Sequence, residues 1–288
     1  MAERGQYVVA SGAWGPAEQA AMERCLALPG LALRPVEPVR PVRLSRTIEA
    51  EIIPRLLLAH RMVAEPDVAR VTAGDVAQFA GLSLSDNRAA AMDYVEAMLA
   101  RDLPIEAVFL DLLAPAARLL GDMWREDLCS FADVTVGLSR MQQILRVLAP
   151  SFEDEEQGSC PGRILVAPVP GEQHSFGASM LEAFFRRAGW EVAGGPLPSR
   201  ELISAVRRDW FDVVGLSLGS DVLFEGLHGL VRSIRAASRN PSLAIMLGGR
   251  YFIDHPERAA EVDADSVATD APDALRQAQA FVGMVVRC

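Results

Sequence analysis

Two periodicities divide the chain. Between Thr47 and Leu148 apolar residues recur at steps of three and four, whereas beyond Arg163 short unbroken apolar runs alternate with helical stretches. Ile48, Ile52, Leu56 and Ala59 share one face of a first helix, in which Pro54 sets a kink. Thr72 and Asp75 have the spacing of a capping box for a short helix ending near Gly81, and Ser85 is placed to cap the next, Asp86 to Ala100. Pro104 suits the first turn of a helix running towards Trp124. Val134, Leu138, Met141, Leu145 and Leu148 then form a core stripe. Helices of this length with short joins predict a helix bundle.

Ser151 to Gly162 breaks the pattern with the acidic run Glu153-Asp154-Glu155-Glu156 and reads as a solvated linker. Beyond it, strands are expected near 163–169, 190–193, 212–217, 243–247 and 266–268, alternating with helices near 177–188, 200–208, 223–238, 256–262 and 271–285. Such alternation implies a parallel sheet covered on both faces. The expected fold is α/β: a helix bundle followed by a flavodoxin-like, Rossmann-like domain with five parallel strands. The expected divisions are an N-terminal extension over 1–45, a helix-bundle cap over 46–150, the acidic linker over 151–162 and the α/β domain over 163–288. Pro35, Pro38 and Pro41 make the extension either ill-ordered or an arm that presents a partner site.

The chain has 288 residues, and its net charge of −10 argues against broad attachment to nucleic acid. Every basic residue is arginine, which rules out a lysine Schiff base and a lysine-bearing phosphate loop. Cys25, Cys129, Cys160 and Cys288 are far apart, so neither a disulfide framework nor a thiolate zinc site is indicated. No apolar run has the length to cross a bilayer and no signal pattern opens the chain, so a cytoplasmic location is expected.

The candidate chemistry lies in Gly171-Glu172-Gln173-His174-Ser175-Phe176-Gly177, directly after the apolar run Ile164 to Val169. This places one histidine on a loop at the carboxyl end of a strand, where open α/β sheets bind ligands. Neutral imidazole ligates transition metals, and Glu172 could hold its other nitrogen. Two further strands end at Ser217 and at Gly248-Gly249. Taken singly, each is a satisfied hydroxyl or a turn.

Together, Glu-x-His-x-x-Gly, a strand-end serine and a strand-end Gly-Gly resemble the cobalamin-binding domain of methionine synthase, corrinoid carriers and cobalamin-dependent regulators. Glu172 stands where that pattern has aspartate, and Gly219 where Ser-x-Leu has leucine. The resemblance implies a corrin between the two domains, with His174 as the metal ligand and Glu172 on its far nitrogen. It implies that Ser217 completes the relay or contacts the buried tail and that Gly248 and Gly249 leave room for the tail, while Gly177 lets the backbone pass close to something flat or bulky. Leu120-Gly121-Asp122-Met123-Trp124 resembles the bundle of CarH-type light-sensing regulators, which makes Trp124 the cap over the upper ligand. Those proteins carry a Glu-His pair nine residues on; here Val134 and Thr135 occupy the places. His60 is the candidate replacement, while His228 and His255 read as ordinary surface or core residues.

Phe131 to Leu138, followed by Arg140-Met141-Gln142 and with no helix-turn-helix ahead of the bundle, resembles the AerR and PpaA group of cobalamin-binding antirepressors. That resemblance implies a light-responsive regulator, not an enzyme, whose cofactor is adenosylcobalamin or hydroxocobalamin. Its partner would be a DNA-binding repressor of the CrtJ or PpsR type, without direct contact to nucleic acid or membrane. A heme sensor on the same scaffold and a corrinoid carrier for methyl transfer are the alternatives.

Overall fold

The computed structural model describes residues 70–154 and 161–285. Backbone contacts divide the chain into Met1–Pro66 and Asp67–Cys288, and the second unit is the one described here. The first expected bundle helix and His60 lie outside the described residues, as do the N-terminal arm and the second half of the acidic run, Glu155-Glu156.

The helical part begins with α1, Ala73–Leu84, closed at its start by the expected Thr72/Asp75 capping box. Ser85 does not cap α2, Ala90–Leu99; its hydroxyl instead donates to the Leu82 carbonyl and closes the end of α1. Asn87 takes over the turn, its Oδ1 accepting from the Ala89 N–H at 3.0 Å. α3 starts after Pro104 as Ile105–Ala107, widens into a π-helical stretch, Val108–Leu113, and continues as Ala114–Arg125. α4, Phe131–Glu153, is opened by a second capping box, Ser130 with Asp133.

α4 also corrects the expected linker. The helix runs through Pro150 to Glu153, and Phe152 is fully buried against Phe109 and Phe184, with ring centroids 4.9 and 4.8 Å apart. Burial of one large aromatic outweighs the helix-breaking tendency of a proline one turn from the end.

The second half alternates as β1 Arg163–Pro168, α5 Phe176–Arg187, β2 Glu191–Gly194, α6 Ser199–Arg208, β3 Val213–Ser217, α7 Phe224–Ala237, β4 Ala244–Gly248, the short and unexpected α8 Arg250–Asp254, β5 Ser266–Val267 and α9 Ala271–Val285, and the helix expected near 256–262 is a 3-10 stretch, Pro256–Val262. The sheet has five parallel strands in the order β2-β1-β3-β4-β5, the flavodoxin-like order. Residues alternate between its faces. Ile164, Val166, Val213 and Met246 pack with α5 and α9, while Leu165, Ala167, Val214 and Ile245 pack with α6 and α7.

One helix joins the two halves. α5 gives Ala178 and Phe185 to the sheet, and Phe176, Met180, Ala183 and Phe184 to the helical core with Phe79, Leu113, Met141 and Phe152. The bundle therefore sits on α5, and its α3 faces the carboxyl edge of the sheet. No helix among the described residues is long and apolar enough to cross a membrane.

Candidate functional site

A cavity of about 380 Å³ lies between α3 and the carboxyl ends of β1, β3 and β4, and continues between α5 and α9 down to Val166, Gly215 and Met246 on the sheet. Its volume is within the range of roughly 300–1,000 Å³ typical of small-molecule sites. Five of the sequence-predicted residues around it (Gly177, Ser217, Gly248, Gly249 and Trp124) line this one space together with His174.

His174 is fixed from below. After β1 the chain turns at Gly171, whose φ of +98° a side chain would resist, and the Glu172 N–H bonds back to the Val169 carbonyl. Glu172 is then folded under its neighbour, with a side chain only 4% exposed. Its Oε1 lies 3.1 Å from His174 Nδ1 and also accepts the His174 backbone N–H at 3.1 Å. A carboxylate can only accept, so in the neutral ring Nδ1 carries the proton and the Nε2 lone pair is free to ligate.

Burial pushes the Glu172 carboxyl up, but the hydrogen bonds from the His174 ring, the His174 backbone and Gly219, with the histidine charge, outweigh it and bring its pKa to about 2. The hydrogen bond to Glu172 raises the His174 pKa above the ordinary value, against the opposing effect of burial.

The relay does not run to Ser217. Glu172 Oε2 accepts instead from the Gly219 backbone N–H at 2.8 Å. A Cβ at position 219 would sit 3.0 Å from that same oxygen. Glutamate is one methylene longer than aspartate, and the missing side chain at Gly219 is where the extra length goes. The two departures from the family pattern are thus a single compensation. Ser217 stays in the cavity wall, where a Cβ on Gly177 would lie 3.8 Å from its Oγ.

Both strand-end glycines line the cavity, and Gly249 has a second constraint within the fold. With φ of +96°, a Cβ on Gly249 would lie 2.3 Å from the Leu218 carbonyl oxygen, so this glycine makes room for the neighbouring strand end. It lets Leu218 bond to both Gly248 and Tyr251, which holds the ends of β3 and β4 together. The interior opening that sequence reasoning missed is Gly215, mid-strand in β3, whose empty Cβ position faces Leu181 and Val166. A glycine inside an apolar strand was the available signal.

The roof is α3 and α4. Leu110, Ala114, Ala117, Gly121, Val134 and Leu138 line it, and none carries a metal-binding atom. Val134 is buried, whereas Thr135 turns its hydroxyl back to the Phe131 carbonyl at 2.8 Å. Trp124 is 46% exposed and meets Phe131 at 6.0 Å; Phe131 in turn meets the His174 ring edge-on at 6.5 Å. His228 on α7 and His255 after α8 are exposed and away from the cavity.

Comparison with known proteins places this geometry. Residues 162–279 match the family model of the B12 binding domain. The matched B12 binding domain runs from β1 into α9 and contains Glu172, His174, Ser217 and both strand-end glycines. An uncharacterized 20.5 kDa protein in the bchF-crtJ intergenic region of Rhodobacter capsulatus is 29% identical over 176 residues, 59% of this chain and 90% of that one. A corrinoid protein of Desulfitobacterium hafniense strain Y51 is 23% identical over 179 residues, 59% of this chain and 80% of its own length. The monomethylamine corrinoid protein of Methanosarcina barkeri, 16% identical, superposes with a TM-score of 0.63 over 72% of this chain and 98% of that one. That likeness establishes the fold, helical part included.

The donor set suits a corrinoid. Among the described residues no three histidine, cysteine, aspartate or glutamate side chains converge on a common point. A bare ion needs several protein ligands, whereas a metal already enclosed in a macrocycle needs one. His174 would be that single ligand, at the mouth of a cleft between α5 and α9 that reaches the sheet.

Proposed function

We propose that this chain is a cobalamin-binding, light-responsive regulator, in which His174 takes the lower axial position and the helical roof reads the state of the upper one. The observation that supports the reading is the asymmetric cavity: an oriented imidazole on one wall and, opposite it, a wall of α3 and α4 that lines the space with no histidine or cysteine, apolar over Leu110, Ala114, Ala117, Gly121, Val134 and Leu138 and charged at Asp122 and Arg125. Bound cobalamin would supply a light-sensitive bond between cobalt and its upper ligand. Glu172 holds the proton on Nδ1, Gly219 holds Glu172, and Val134, Leu138 and Trp124 exclude water from the upper side. A change there reaches α3 and α4 directly, because both line the same space. A ligand shifts a conformational equilibrium only through its different affinity for the two states, and this arrangement gives it contacts in both halves.

The relative from the bchF-crtJ region supports a role near photosynthesis genes, and hence the antirepressor reading with a CrtJ- or PpsR-type repressor as partner. A second reading, a corrinoid carrier for methyl transfer, draws on the Desulfitobacterium relative. One experiment separates them. The protein is mixed in the dark with adenosylcobalamin, hydroxocobalamin or heme, desalted, and its absorption recorded before and after illumination. Repressor binding to its operator is then measured with and without each form. A retained corrinoid, a light-dependent spectrum and relief of repression are expected. Corrinoid without a light response moves the assignment to the carrier, and retention of heme alone overturns both.

A further inference from the structure

The two edges along which the roof meets the sheet domain are built differently. On one, α4 and the first turns of α3 are joined to α5: through the buried Phe109, Phe152 and Phe184 cluster, by Gln142 of α4 bonding Ser175 and Ser179 at 3.1 and 3.3 Å, and by Arg187 on Glu106 of α3 at 2.7 Å. On the other, α3 meets α8 through exposed charge. Asp122 and Arg125 pair within α3, Arg250 and Asp254 pair within α8 at 2.7 Å, and the helices are cross-linked by Arg250 to Asp122 at 3.2 Å and Arg125 to Asp254 at 3.8 Å. All four side chains line the cavity. Among the described residues these are the ion pairs that cross this edge.

The cavity lies between the helical roof and the sheet domain, so a rigid macrocycle with its nucleotide tail has to enter along one of these two edges. Parting α4 from α5 exposes three aromatic rings and strands several hydrogen bonds. Parting α3 from α8 trades solvent-accessible ion pairs for hydration at little cost. Trp124 and Ile253, both half-exposed, flank the charges on the two sides and would become the lips of the opening.

We propose that Asp122, Arg125, Arg250 and Asp254 form a charge latch across the α3/α8 edge, and that cofactor enters by its opening, with the α4/α5 contact as the hinge. This rests on the corrinoid reading for the identity of what enters, but not for the existence of the latch. Opening precedes binding, so the association rate scales with the open population. Salt raises that population by screening the pairs.

The test uses the whole protein, with Asp122→Asn, Arg250→Gln and the double variant. Association of net-neutral adenosylcobalamin in the dark is followed by absorbance at low and high sodium chloride. Each single variant is expected to associate about threefold faster than wild type at low salt. The double variant should be no faster than the singles, and high salt should bring wild type up to them. Equal rates in all four proteins, or additive effects in the double variant, overturn the proposal. In parallel, amide hydrogen exchange of the cofactor-free proteins should quicken in Ala114–Arg125 and Arg250–Asp254 while Phe131–Glu153 stays unchanged. Equal exchange in wild type and variants, or quickening of both edges together, overturns it too. If wild type takes up no corrinoid, the functional reading has failed and the exchange measurement still decides the latch.

Discussion

On the floor of the cavity His174 is held to Glu172 by its ring and by its backbone N–H, and Glu172 is itself pinned by Gly219; on the roof, α3 and α4 present an apolar stretch of alanine, glycine, valine and leucine beside Arg118, Asp122, Trp124 and Arg125. The floor is specified to within one methylene, as the Glu172 and Gly219 pair shows. The roof is specified by volume and polarity only. On the proposed reading, His174 would hold the corrinoid from one side and the helical wall would leave the other side to an exchangeable ligand.

The comparison breaks most sharply at His174. His174→Ala removes the protein's metal-ligating atom from the floor, and corrinoid affinity should fall by more than about 100-fold, beyond the range set by supporting residues. Equilibrium dialysis with absorbance detection measures this. Retained affinity with an unchanged spectrum would show that the floor does not ligate. Glu172→Gln should cost about 10- to 100-fold, because the carboxylate no longer fixes the tautomer.

Gly219 sharpens the same point. Gly219→Ala pushes a Cβ to 3.0 Å from the Glu172 carboxylate and should weaken binding about tenfold. Adding Glu172→Asp withdraws the carboxylate by one methylene and should recover part of that loss. If the double variant is instead worse than Gly219→Ala alone, the two positions do not compensate.

The sheet half was the more legible in sequence, for a physical reason. Strand alternation, caps and strand-end loops are local signals, and β1 to α9 lie within a few residues of their expected bounds, with the two faces of β1 split as Ile164/Val166 and Leu165/Ala167. Glu172 and His174 were legible because their contact spans two residues. What the sequence hid depends on distant partners. Ser85 was free to cap either helix until Asn87 took the turn. The end of α4 is decided by Phe152 meeting Phe109 and Phe184. Gly249 serves Leu218, from a different strand, and Glu172 bonds to Gly219, 47 residues on.

Acid should act on floor and roof unequally. His174 has its pKa raised by Glu172, so as pH falls through that raised value the ring gains a proton and its Nε2 can no longer ligate. Ligation read by absorbance should therefore fade on acidification, with a midpoint below the free ring's raised pKa because metal and proton compete for Nε2. Glu172→Gln should move the midpoint down, because the neutral amide no longer favours the imidazolium. In the cofactor-free protein the signs differ. The raised His174 contributes stability fully present below about 6.5 and lost as pH rises through its folded value. The depressed Glu172 contributes stability present above 4.5 and lost as pH falls towards about 2. Both describe one interaction, so the apo protein should be most stable between these limits, as chemical denaturation at a series of pH values would show.

The smallest effect is expected at Trp124. Its ring is 46% exposed and touches Phe131 rather than His174, so Trp124→Phe should change dark corrinoid affinity by no more than about threefold. The roof's contribution should show in the light response instead, because Trp124 lines the upper side where a released ligand must leave. Measured by absorbance after a flash, recovery of the dark spectrum should be faster in Trp124→Phe than in wild type, while the low-pH midpoint set by His174 stays fixed. A shifted midpoint with unchanged recovery would reverse the assignment, placing Trp124 with the floor and leaving the roof without a reader of the upper ligand.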